Sequence, residues 1–214
     1  MDFKPISDYG LLADCNSAAL VDRAGSIDWL CMPRYDSDAL FARILDPNAG
    51  HWSIRHRGSF DVERRYLDGT LVIETTFATA DGVVRLTDAM AFAEGQRGHD
   101  LGLDVPHELL RLVEGLSGEV ERDLELAPRP EYGLVRPLLR RTEEGGRTFG
   151  GPNQIVVTAG VPVEVADTTI RASFTIEAGD ERGFALRWAP VESTDPAALP
   201  PGDVAARIRD TAEG

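Results

Sequence analysis

Four consecutive residues, Arg34, Tyr35, Asp36 and Ser37, set a cation, a phenol, a carboxylate and a hydroxyl side by side, directly after an apolar run and Pro33. A guanidinium and a nearby carboxylate can hydrogen-bond a sugar hydroxyl or a neighbouring surface, or they can pair with each other. Connections at the end of a sheet often carry such roles. These residues form the candidate substrate-binding or partner-facing loop. The structural alternative is that Arg34 and Asp36 simply hold the corner.

Other chemistries find less support. His51 and His56 stand at an odd offset that sends them to opposite faces of a strand. With His99 and His107 they form no His-x-His, and no Cys-x-x-Cys exists. No metal site and no cofactor are expected. Cys31 lies between Leu30 and Met32, an apolar setting that raises a thiol pKa rather than activating it. There is no Gly-x-Ser-x-Gly elbow and no Gly-x-x-x-x-Gly-Lys loop; the glycines of EEGGRTFGGPN (143–153) read as a hairpin turn. A glycosidase needs two carboxylates about 5 to 9.5 Å apart. The 36 acidic residues single out no such pair, so no catalytic residue is assigned. Trp29, Trp52 and Trp188 lie in strand patterns among apolar neighbours, which suits core packing better than a sugar platform.

A hairpin must position residues 34–37. AALV leads into a turn at residues 22–25 and SIDWLCM returns, with Ile27, Trp29 and Cys31 on one side and Asp28 and Leu30 on the other. Pro33 cannot donate to a ladder and ends the strand. SDALFARIL (37–45) then reads as a short helix, with Ser37 as N-cap and Leu40, Phe41, Ile44 and Leu45 on one stripe.

Elsewhere period-two patterning dominates. Ile170, Ala172, Phe174 and Ile176 alternate with polar residues, as do Val120, Leu124 and Leu126. Turn signals at Ala80-Asp81-Gly82, Gly145-Gly146 and Gly179-Asp180 separate the runs. Strands without intervening helices predict an all-β antiparallel sandwich. The alternating array Leu109, Arg111, Val113 needs a surface to cover it. After the linker-like STDPAALPPG (193–202), GDVAARIRDTAEG reads as a second helix, with Asp203 as cap and Val204, Ile208 and Ala212 at helical spacing.

The 214 residues allow one large domain or two small ones, and 43% hydrophobic residues can fill a core. A net charge of −14 disfavours nucleic acid and anionic membrane surfaces as partners. No apolar stretch approaches a membrane span, and MDFKPISDYG lacks the apolar core of a signal peptide. Two cysteines make no disulfide framework, and a cytoplasmic setting is expected.

ISDYGLLADCNSAALVDRAGSIDWLCMPRYDSDALFARILD closely resembles the opening of bacterial glycoside hydrolase family 15 proteins, the glucoamylase and trehalase-like enzymes. RRYLDGTLVIETTFATADGVVRLTDAM and PHELLRLVEGLSGEVERDLELAPRPEYG are similar to later stretches of the same family. Tyr35 stands where Phe is usual and Asp38 where Pro is common, and neither departure disturbs the resemblance. It implies an N-terminal sandwich at 1–195 and, at 196–214, the start of a linker helix towards an (α/α)6 barrel that carries both catalytic glutamates. By that resemblance the chain's partner is its own C-terminal barrel and the longer protein's substrate is a neutral α-glucoside, cleaved with inversion. The fragment alone is then expected to be inactive. A self-standing carbohydrate-binding module is the alternative, and a small hydrolase complete in this chain a third reading. Trehalose, maltodextrin and dextran specificities are not separated, and homo-oligomers are left open.

Overall fold

Turn chemistry sets the first meander. β1 (Gly10–Ala13), β2 (Ala18–Val21) and β3 (Ser26–Cys31) follow one another, and the buried Asp22 carboxylate shapes their second turn. It accepts hydrogen bonds from the backbone N–H groups of Ala24 at 2.9 Å and Ser26 at 2.7 Å. The computed structural model describes residues 4–149, 153–193 and 196–214. The glycines at 150 and 151 and the domain boundary expected at 195 lie outside the described residues.

β4 (Ala39–Ala42) and β5 (His51–Arg55) both pair with β3, and β6 (Asp61–Tyr66), β7 (Ile73–Ala78) and β8 (Gly82–Met90) form a second meander. The long β9 (Glu108–Ala127) follows, then β10 (Leu138–Arg141), β11 (Gly145–Phe149), β12 (Asn153–Ala159), β13 (Glu164–Ala166), β14 (Thr169–Glu177) and β15 (Glu181–Pro190). The helix α1 (Val204–Ala212) closes the chain.

Two antiparallel sheets face each other, and β9 belongs to both. Its first half pairs with β8 and β15, its second half with β5 and β14. One sheet runs β1-β2-β3-β5-β9-β14-β13, the other β6-β7-β8-β9-β15-β12-β11-β10. The crossing needs glycine. A Cβ on Gly115 would stand 1.9 Å from the Glu177 carbonyl oxygen. Gly118, at φ +65, would put one 2.0 Å from that of Asp81. The sandwich class read from the alternation is therefore what forms, as an open continuous ladder.

The core lies between the sheets. Trp52, Ile54 and Leu124 meet Phe77, Leu86 and Leu186 there, each burial contributing about 1.5–3 kcal/mol. Leu109, Arg111 and Val113 face this interior, so their cover is intramolecular. The other face of β9 is covered as well: Leu110 and Leu112 pack with Val204, Ala205 and Ile208 of α1. The second helix thus forms as its spacing predicts and docks on the sheet. Asp203 occupies its N-cap position without a side-chain capping bond. Glu108, buried in β9, sits 3.8 Å from Arg207 of α1 and 3.6 Å from Arg187.

The structure corrects two expectations near the N-terminus. Residues 37–45 are not a helix. Ala39–Ala42 form β4, buried at every position and paired with the second half of β3. β5 takes only Ser26 and Ile27 of β3, which leaves an edge open for β4. An apolar run this short cannot distinguish the two periods by itself, and tertiary pairing decides. The chain then turns, with Leu45 N–H donating to Ala42 O at 2.9 Å, and Leu45 is exposed. Within β3 the strict alternation also fails. Val21 pairs with Ile27 and Leu20 with Trp29, so Asp28 is an extra residue, a β-bulge. Ile27 and Leu30 consequently share the main core, while Trp29 and Cys31 pack in a smaller cluster.

Candidate functional site

Residues 34–37 form a tight connection between two strands. Ser37 Oγ accepts a hydrogen bond from the Arg34 N–H at 3.1 Å, and Ser37 N–H donates to Arg34 O at 3.1 Å. Ser37 therefore fastens its own loop rather than capping a helix. Arg34 Nε donates to Asp36 Oδ1 at 2.9 Å, with both side chains largely exposed. This hydrogen bond and the guanidinium charge hold the Asp36 carboxyl below the usual range. That is the opposite of what a general acid needs. Tyr35 is 57% exposed, and its N–H donates to Asn16 O at 2.8 Å.

A second loop, 128–137, docks on the outer edge of β4: Arg129 N–H donates to Leu40 O at 3.0 Å and Tyr132 N–H to Ala39 O at 3.2 Å. Between the two loops and the ends of β11, β12 and β15 opens a cavity of about 380 Å³, within the range of small-ligand sites. Asp36, Ser37, Asp38 and Glu131 bring polar groups to it; Leu40 and Trp188 bring apolar surface. Trp188 is half-buried and meets the His107 ring edge-on at 5.6 Å. Such a mixture of an indole, carboxylates and a hydroxyl suits a neutral polyol.

Of the four residues singled out in the sequence, Asp36 and Ser37 line the cavity, while Arg34 braces Asp36 and Tyr35 is exposed outside the lining. Trp188 packs against the main core, as its strand pattern suggested, and also lines the cavity. Glu131 was missed, and its one signal was the Pro- and Gly-bracketed PRPEYG, a loop composition. Trp52 is fully buried, as its pattern indicated, and Trp29 packs beside Tyr132, ring centroids 6.2 Å apart. Among the described residues, no three His, Cys, Asp or Glu side chains converge to hold a metal ion. No helix there is long and apolar enough to cross a membrane.

Apolar side chains are exposed around this end, among charged ones. Tyr35, Tyr132, Leu134, Leu138, Phe149 and Val191 are all exposed. The helix α1 is tied to the loop that follows β8. Gly214 lies against Leu101 and Gln96, and Arg97 bonds Asp210 of α1 at 3.0 Å. Gly102 O in the same loop accepts from Asn16 Nδ2 at 2.8 Å, and Asn16 holds Tyr35.

Fold and site together define a class: an antiparallel β-sandwich with a helix docked on one sheet and a loop-bounded cavity at one end. The chain belongs to the family of trehalase-like N-terminal domains, whose model matches residues 1–182. The trehalase of Mycolicibacterium smegmatis is 33% identical over 204 residues, covering 87% of this chain and 30% of that protein. The trehalase of Mycobacterium tuberculosis is 31% identical over 217 residues, 92% of this chain and 32% of that protein. Trehalase 1 of Sulfolobus acidocaldarius is 32% identical over 146 residues, 68% and 23% respectively. The chain thus spans about a third or less of the length of these relatives.

Proposed function

We propose that this chain is the non-catalytic sandwich domain of a trehalose- or α-glucan-hydrolysing enzyme of the family 15 type, and that its cavity end seats the catalytic domain and borders the sugar pocket. The observation that carries the reading is the coincidence of two features at one end. The cavity edged by Asp36, Ser37 and Trp188 lies there, and exposed apolar residues flank it in sequence. Exposed apolar patches mark partner surfaces. The carboxylates that perform hydrolysis belong, in this reading, to the downstream domain.

The test has two arms. The 214-residue chain should release no glucose from trehalose, maltose or starch. In the longer enzyme, Arg34→Ala and Asp36→Ala should each lower kcat/KM at least about tenfold, about 1.4 kcal/mol, with the melting temperature barely changed. Turnover by the short chain that vanishes on replacing one of its carboxylates would overturn the first arm. Variants that lose stability but keep full activity per folded molecule would overturn the second. Calorimetric titration of the short chain with trehalose and maltose addresses the self-standing binding module, which the half-buried Trp188 in the cavity favours. Saturable binding without the catalytic domain would select it.

A further inference from the structure

A second cavity, of about 330 Å³, opens on the outer face of the first sheet. Its ionisable lining is Arg43, His51, Glu125, Arg129, Arg136 and Arg171, from the turn after β4, the start of β5, the end of β9, the loop behind it and β14. Four guanidiniums thus share a concavity with one carboxylate, on a chain whose net charge is −14. This is the reverse of the surface at large.

The internal pairing does not balance. Glu125 is already engaged by Arg171 at 2.8 Å and lies 3.2 Å from His51 Nε2. Arg43 reaches outside the lining to Asp28 at 3.8 Å. Arg129 is nearly buried and spends its donors on carbonyl oxygens, those of Pro128 at 2.7 Å and Thr168 at 2.9 Å. Arg136 is exposed and has no ion-pair partner among the described residues. Among the described residues, Arg129 and Arg136 therefore have no carboxylate within ion-pair distance, and Glu125 offsets the Arg129 charge only in part. Burial, and then Arg136, lower the Arg129 pKa. Burial, seconded by Arg43, keeps His51 neutral down to about 3. Like charges have been gathered here at an electrostatic cost that an incoming anion would relieve.

We propose that this cavity binds a small dianionic oxyanion, a phosphate or sulfate group, free or carried as a monoester on a small molecule. A single carboxylate is what Glu125 already supplies. A tetrahedral group offers acceptors in several directions, which matches guanidiniums converging from β14, the 128–137 loop and the turn after β4. The site is separate from the sugar-type cavity, although the 128–137 loop borders both.

Calorimetric titration of the 214-residue chain with sodium phosphate, sodium sulfate and glucose 6-phosphate, against sodium chloride at matched ionic strength, tests the proposal. Phosphate and sulfate should bind saturably at one site, and chloride should not. Arg136→Ala, at an exposed position, should fold as the parent does and bind about tenfold more weakly. Arg171→Gln should weaken binding similarly. Glucose 6-phosphate binding more tightly than phosphate identifies a monoester ligand, and equal or weaker binding identifies the free anion. Heats indistinguishable from chloride, or affinities unchanged in both variants, overturn the proposal.

Discussion

Arg111 and Arg122 stand on the inward face of β9, between Leu109, Val113, Val120 and Leu124, where alternation alone calls for aliphatic side chains. Both are essentially inaccessible. Arg111 bonds Asp88 at 2.7 Å and also reaches the carbonyls of Trp52 at 2.8 Å and Gly25 at 2.9 Å, tying the two sheets and the first hairpin together. Arg122 lies over the Phe77 ring, 4.4 Å from its centroid, and bonds Ile54 O. Asp88→Ala should therefore cost about 3–5 kcal/mol, because it strands a buried cation. Thermal unfolding followed by circular dichroism should show a fall on the order of 10 °C. Adding Arg111→Met should recover most of that loss, and a double variant no better than the single would refute this account. His51 carries a pH prediction. Its pKa falls from 6.5 to about 3 on folding, so the unfolded chain binds the extra proton between those values. Stability is then fully present above about 6.5 and is lost as pH falls towards 3, by up to about 1.4 kcal/mol per unit. Urea unfolding of the parent and of His51→Gln, at pH values from 7 down to about 4.5, isolates the effect. The parent should lose stability more steeply, and parallel curves would rule the idea out.

The meander, the sandwich strands and the C-terminal helix were legible because each follows a period and a turn residue. Arg23-Ala24-Gly25 turns, Ile170 to Ile176 alternate, and Val204 and Ile208 share a helical face that becomes a buried one. β4 was not legible. Its four residues fit either period, and the deciding fact is an open edge on β3, a property of a distant pairing. The bulge at Asp28 escaped for a related reason, since register depends on the partner strand rather than on the strand itself. In the candidate site, residues 34–37 were visible as a cluster of side-chain types, but the cavity is made by bringing PRPEYG and the end of β15 beside them, and no local signal announces that. The crossing of β9 between sheets gives a prediction at this scale. Gly179 has φ +88 with open space around it, so Gly179→Ala should cost only the left-handed backbone term, about 1–2 kcal/mol. Gly118→Ala adds a collision with the Asp81 carbonyl and should cost clearly more, about 3 kcal/mol or above. Chemical denaturation of the two variants supplies the comparison; equal losses would mean the crossing tolerates a side chain.

At the level of the molecule, a strand 20 residues long supplies a central ladder to each sheet. In sandwiches whose sheets touch only through side chains, one sheet can in principle loosen while the other holds. Here the backbone hydrogen bonds of β9 continue from one sheet into the other, and Arg111 adds a polar tie beside the crossing. The molecule has no seam. Trp52 reports on the first sheet and Trp188 on the second, so fluorine NMR of fluorotryptophan-labelled protein can watch both during a single urea titration. Their folded signals should vanish together, at one midpoint, as one cooperative unit. An earlier loss at Trp188 would reveal a separable half. Because the strands it joins lie far apart in sequence, assembly must also wait for distant segments to meet, and refolding in the millisecond-to-second range is expected, as for other non-local β topologies.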